Sequence, residues 1–128
     1  LRELNMANTE EQILDLLKEK RNLDGFDLSH LDFTGEDLQN VSFKNSICKF
    51  TNFSCCLLSY SNFSGADLTG AILNEAILAF SNLHGTNLES AKIKHAFFCG
   101  ADLAQANLKN TDMNTADFDG ANLSDAQL

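Results

Sequence analysis

Large apolar side chains recur at every fifth position of this chain. From Leu23 to Leu128 each fifth residue is Leu, Phe, Ile, Met or Cys, with no insertion or deletion between them. Two residues before each of these centres the side chain is mostly small, as at Ala66, Ala71, Ala76, Ser81, Thr86 and Ala91, and one before it is often Asp or Asn. A period of five fits neither the period of about 3.6 of a helix nor the period of about 2 of a strand. The chain therefore turns a corner once per block. All seven glycines, from Gly25 to Gly120, fall two after a centre, where a missing Cβ relieves a tight turn. The absence of proline suits a fold in which backbone N–H groups are needed throughout.

One segment follows another rule. Thr9 with Gln12 three later fits a capping box, Glu10 and Glu11 sit in a first turn, Lys18 and Lys20 in a last one, and Ile13, Leu14, Leu16 and Leu17 form an apolar stripe. The pattern predicts a short amphipathic helix from Thr9 to about Lys20, within an N-terminal segment 1–20 that precedes the repeats of 21–128.

The blocks SNFSG, ADLTG, SNLHG, ADLAQ, ANLKN and ADFDG resemble the pentapeptide-repeat proteins, in unbroken frame over most of the chain. The resemblance implies an all-β fold, a right-handed quadrilateral parallel β-helix with four blocks to a coil, in which the centre and the small residue two before it point inward. At roughly 4.8 Å per coil, about five and a half coils make a rod on the order of 26 Å long. A narrow tube has room for one large and one small side chain per block, which accounts for the alternation. In the first coil the small positions hold Arg21, Phe26, Leu31 and Glu36. Groups of that size belong at an open end, and the helix is the expected lid over it. The pattern stops in mid-block at Ala126-Gln127-Leu128, and a second copy covering that end is one expectation.

Composition narrows the class. At 44% hydrophobic residues and 14.1 kDa the chain reads as one domain. No apolar run reaches the length of a membrane span and no signal or lipidation motif is visible, so a cytoplasmic protein with no membrane contact is expected. Met6-Ala7 reads as a native start, with LRELN before it as a cloning remnant. Four cysteines at Cys48, Cys55, Cys56 and Cys99 neither stack at one-coil spacing nor make a zinc set, which predicts free thiols in a reducing compartment. No metal, cofactor or nucleotide motif occurs.

Cys55, Glu75 and His95 fall in one outward column, a thiol, a carboxylate and an imidazole. Two coils between Cys55 and His95, on the order of 10 Å, and a flat surface argue against catalysis there. A Glu75–His95 surface contact is the expectation, and an enzyme using Cys55 and His95 is the remotest of three functional readings. His30 and His84 read as lone, solvated turn residues.

The net charge of −9 raises a second reading, since some pentapeptide-repeat proteins are acidic rods that mimic duplex DNA and act on DNA gyrase, a type II topoisomerase. Mimicry needs charge laid along the rod. Here residues 1–37 hold ten acids against four bases and 102–128 five against one, while 38–101 hold three acids and four bases. The neutral waist makes mimicry the alternative rather than the leading reading, and the lack of a basic patch argues against direct nucleic-acid binding.

Breaks in the repeat point elsewhere. On one wall the residue before the centre reads Asp37, Leu57, Ile77, Phe97, Asp117, and the corners of that wall bring Tyr60 and Phe80. Ile47 and Phe50 lie on a neighbouring wall. An outward strip of Leu57, Tyr60, Ile77, Phe80 and Phe97 predicts a face for an unidentified protein partner or for self-association as a homodimer, with Ile77 and Phe97 at its centre. Stacked apolar ladders also stabilise solenoid walls by roughly 0.2–1 kcal/mol per pair. A non-enzymatic interaction or scaffold module is the leading reading.

Overall fold

The computed structural model describes residues 9–128; the reading of LRELN and Met6-Ala7 falls outside the described residues. With one exception on the wall of Lys92, each residue before a centre from Asn22 to Asn107 forms a parallel bridge with the residue twenty further on, as in Asn22↔Ser42↔Asn62↔Asn82↔Asp102↔Asn122. Four such ladders start at Asn22, Asp27, Asp32 and Asp37. They define four walls, named first to fourth in that order. A corner lies between each wall and the next. The strands are minimal, with one bridged residue per wall and coil in place of the extended ladders of an ordinary sheet.

Backbone hydrogen bonding explains why five residues suffice. In the block around Phe63, Asn62 N–H donates to Val41 O at 3.0 Å and Phe63 N–H to Asn82 O at 2.7 Å, linking coils above and below. Gly65 N–H donates to His84 O at 3.0 Å, and Ala66 N–H closes the corner onto Phe63 O at 2.9 Å. The fifth amide, of Ser64, donates to the side-chain Oδ1 of Asn62 at 2.9 Å. The same local bond runs from Ser29 to Asp27 and from Ser124 to Asn122, which is why the repeat places Asp or Asn before its centres. All five donors of a block are then satisfied. Hydrogen bonds from Thr34 hold the Asp32 carboxyl below the usual carboxylate range, and those from Gln39 do the same for Asp37. The stability that these two contribute is present above that range and is lost as pH falls through their lowered values.

The second corner residue has positive φ at Gly25, at Gly100 and at bulky residues such as Phe50, Tyr60 and Phe80. A positive φ there is the requirement of a type II turn. Glycine is needed at two corners for a further reason. A Cβ on Gly100 would lie 2.6 Å from Phe80 Cε1, and one on Gly70 would collide with the Phe50 ring, so each glycine makes room for an aromatic ring from the coil before.

Inside, the centres stack. Phe43 and Phe63 lie parallel with ring centroids 4.4 Å apart, Phe53 meets both edge-on, and Phe98 stacks on Phe118 at 4.9 Å. Polar groups at the small positions bond to backbone carbonyls, Thr51 Oγ1 to Leu28 O at 2.8 Å and Thr86 Oγ1 to Phe63 O at 2.7 Å. The Ser61 hydroxyl alone is buried without a partner among the described residues.

The helix, α1, spans Glu10–Leu17 with Thr9 as N-cap and the full capping box with Gln12. It ends earlier than the sequence suggests: Lys18 is the C-cap and Lys20 lies beyond it. Ile13 and Leu17 are buried in the common core, and Phe26 and Leu31 pack partly buried against it. The Glu10 carboxylate accepts the Asp32 N–H at 2.9 Å, standing in for a preceding coil. Arg21 turns outward, and its guanidinium donates to Gln39 O at 2.7 Å. The oversized residues of the first coil thus belong to a lidded end. Among the described residues no helix is long and apolar enough to cross a membrane.

Replacing Ser61 by Ala removes an unpaired buried hydroxyl and keeps the small volume. Ser61→Ala is expected to raise stability by about 1 kcal/mol, read as a higher Tm in thermal unfolding.

Candidate functional site

The fourth wall owes its surface to a change in one position of the repeat. Leu57 pairs with Ile77 and Ile77 with Phe97, in register between Asp37 and Asp117, so three apolar side chains follow one another at one-coil spacing. Each stands where Asp or Asn would cap its own corner. Among the described residues the N–H groups of Ser59, Ala79 and Cys99 accordingly have no protein acceptor. The wall gives up a local hydrogen bond in three successive coils and gains apolar surface.

Exposure is uneven. Tyr60 is 60% exposed, Phe80 58%, Phe97 44% and Leu57 38%. Ile77 is half-buried between Leu57 and Phe97, so of the two expected central residues Phe97 is the more exposed. Tyr60 and Phe80 stack with centroids 5.4 Å apart and 16° between planes, and Phe80 continues over Gly100. The aromatic strip is therefore continuous along the corner, with rings lying against the rod instead of projecting from it. A second pair does the same at the corner after the second wall, where His30 stacks on Phe50 at 5.4 Å. His30 is exposed, as the sequence suggests, but it is not a lone residue. Its partner is twenty residues away, visible only once the register is known.

The column of Cys55, Glu75 and His95 is partly assembled. Cys55 Sγ lies 3.9 Å from Glu75 Oε2, so the contact forms with Cys55 and not between Glu75 and His95 as expected. The His95 backbone N–H donates to Thr115 Oγ1 at 3.0 Å, and among the described residues no hydrogen bond joins its ring to either partner. The surface nearby is not flat. A hollow of about 490 Å³ opens on the third wall, lined by Lys92, Lys94, Asp112 and Thr115 among others. Nothing in the repeat signals it except the residue type at Thr115.

All four cysteines are free. Burial pushes the Cys48 thiol up to about 12 and the Cys56 thiol up to about 12, and Cys56 Sγ also donates to Phe33 O at 2.9 Å. Desolvation, with Asp117 beside it, raises Cys99 as well. Among the described residues no group of three or more His, Cys, Asp or Glu side chains is placed to hold a metal ion.

A family model described as pentapeptide repeats matches in eight copies, over residues 22–59, 51–89, 61–98, 81–120 and 98–128. Among solved structures, a pentapeptide repeat protein from the thylakoid lumen of Arabidopsis thaliana aligns at 33% identity with a TM-score of 0.75, over 83% of this chain and 71% of that one. The pentapeptide repeat protein Rfr23 of the cyanobacterium Cyanothece 51142 aligns at 20% identity with a TM-score of 0.51, over 91% and 97% of the two chains; at that identity the likeness shows the fold alone. No curated protein matches.

Two outcomes follow from this geometry. In Phe97→Asn the new side chain can accept the Cys99 N–H while losing contact with Ile77, and the variant is expected to fold with stability within about 1 kcal/mol of the original, checked by thermal unfolding. A thiol reagent at neutral pH is expected to label Cys55 and Cys99 in the folded chain and to reach Cys48 and Cys56 only after denaturation, read by mass spectrometry of peptides.

Proposed function

The chain belongs to the pentapeptide-repeat family, and from that premise we propose that it is a non-enzymatic protein-interaction module whose working face is the fourth wall, with Leu57, Tyr60, Ile77, Phe80 and Phe97 as contact residues. The observation that carries this reading is the continuous exposed strip of Tyr60, Phe80, Phe97 and Leu57, built at positions where the repeat's own Asp or Asn would cap the corner. Scattered apolar residues are ordinary on a surface; an aligned strip is not. The rings are preorganised by stacking, so little side-chain freedom is lost when they are covered. The ladder is closed by Asp37 at one end and Asp117 at the other, which suits an apolar partner surface with a basic rim. The four walls are taken to wind as the right-handed rod that the family resemblance implies, and the free thiols support a cytoplasmic setting.

Affinity capture from host lysate, comparing the original chain with Tyr60→Ser/Phe97→Asn protein whose fold is verified by circular dichroism, tests the reading. A protein held by the original and lost by the variant is the expected result. Equal recovery by both would overturn it. A homodimer through the same wall would show as a doubled mass in light scattering that the double variant abolishes.

A further inference from the structure

The third wall is broken in one place. Parallel bridges join Asp32, Asn52, Ile72 and Lys92 in turn, and no bridge joins Lys92 to Asp112. Earlier on this wall Lys92 N–H donates to Ala71 O at 2.9 Å and Leu73 N–H to Lys92 O at 2.7 Å. One coil later, among the described residues, Ala91 C=O and Ile93 N–H find no partner, although both residues are buried. Native interiors rarely leave such a pair unmade.

The corner explains the break. In the same coil the fourth wall is intact, with Phe97 bridged to Asp117, so nearness to the last coil is not the cause. Among the second corner residues from Gly25 to Asp125, Thr115 is the sole β-branched one and the sole one without positive φ. The left-handed region is a genuine outlier for a β-branched residue, and the turn takes another shape. His95 N–H, which by the rule of its column would donate to Asn114 O, donates to the Thr115 hydroxyl instead. The strand bearing Asp112 stands off, and the hollow of about 490 Å³ opens between it and Lys92, within the size range of ligand sites.

Charge marks one lip of the seam. Lys92 and Lys94 flank Ile93, and neither is in an ion pair among the described residues, in a chain whose net charge is −9. On the other lip, Asp112 Oδ1 is occupied by the Asn114 N–H at 3.0 Å. Asn74 Oδ1 is occupied by the Lys94 N–H at 2.9 Å.

We propose that this seam binds an extended peptide segment carrying acidic side chains. A guest residue in the place that Asp112 leaves would donate its N–H to Ala91 O and accept the Ile93 N–H, the pairing that every other coil on this wall makes. A free donor and a free acceptor on one strand edge complement a peptide backbone, whereas an inorganic anion offers acceptors alone. Side chains alternate across a strand, so the bridging residue points outward beside Lys92, where a carboxylate is the complement, and its neighbours point into the hollow beside Ile93, where an apolar group fits. This site is independent of the aromatic wall.

The probe is a fluorescein-labelled, end-blocked peptide of alternating glutamate and valine, followed by fluorescence anisotropy. Saturable binding is expected, at least tenfold weaker when the glutamates are N-methylated, at least tenfold weaker in Lys92→Gln/Lys94→Gln protein, and lost in Thr115→Gly, whose corner is free to adopt positive φ and let Asp112 close the seam. Hydrogen exchange supplies a readout without ligand: the Ile93 amide exchanges fast in the original chain and is protected in Thr115→Gly. No binding, binding indifferent to N-methylation or to Thr115→Gly, or an Ile93 amide already protected in the original chain would each overturn the proposal.

Discussion

The amide that cannot reach another coil governs this molecule. Of the five backbone donors in a block, three go to neighbouring coils and one closes the corner, which leaves the residue after the centre to find an acceptor locally. The Asp or Asn two residues earlier supplies it. Because that acceptor lies within the block, each block completes its own corner and needs only registry with the coils above and below. Interior packing then follows. Centres stack on centres, as Phe43 does on Phe63, and small residues fill the space between, because the register leaves them no other arrangement.

The surface changes character where this local bond is surrendered. Replacing the capping Asp or Asn by Leu57, Ile77 and Phe97 leaves the amides of Ser59, Ala79 and Cys99, on partly exposed residues, without that local acceptor. The core is untouched, since these side chains point outward. The rod can therefore carry a patterned surface without altering its interior, wall by wall. Thr115 departs in a different manner. It alters the corner's backbone, and its effect reaches the ladder itself and unmakes one bridge. The two kinds of departure yield two kinds of surface, a smooth aromatic strip and an open strand edge.

Much of the fold was legible because one period runs through the chain. The centres, the inward small residues, the helix with its Thr9–Gln12 box and the alignment of Leu57, Ile77 and Phe97 all follow from counting in fives and twenties. Two things escaped. The stacking of His30 on Phe50 and of Tyr60 on Phe80 depends on rotamers and on the empty space over Gly70 and Gly100, which counting does not reveal. The hollow depends on a φ that Thr115 does not take. The signal was present, a β-branched residue at a left-handed corner, but it carries weight only once every other corner is seen to have positive φ. The lysines beside it looked like ordinary surface charge for the same reason. The helix ends about a turn earlier than its charge pattern suggests, because Lys18 is the cap itself and Lys20 lies beyond it.

The twenty-residue register also fixes how such a rod can change by insertion. Adding one block of five would rotate everything downstream by a quarter turn, carrying Phe97 to another wall and dividing the aromatic strip between two faces while every block remained well formed. Adding four blocks would lengthen the strip and preserve its line. Loss of a single residue would do neither, since inward and outward positions would exchange from that point on. The molecule is thus tolerant in increments of a coil, reconfigurable in increments of a block and brittle at the scale of one residue.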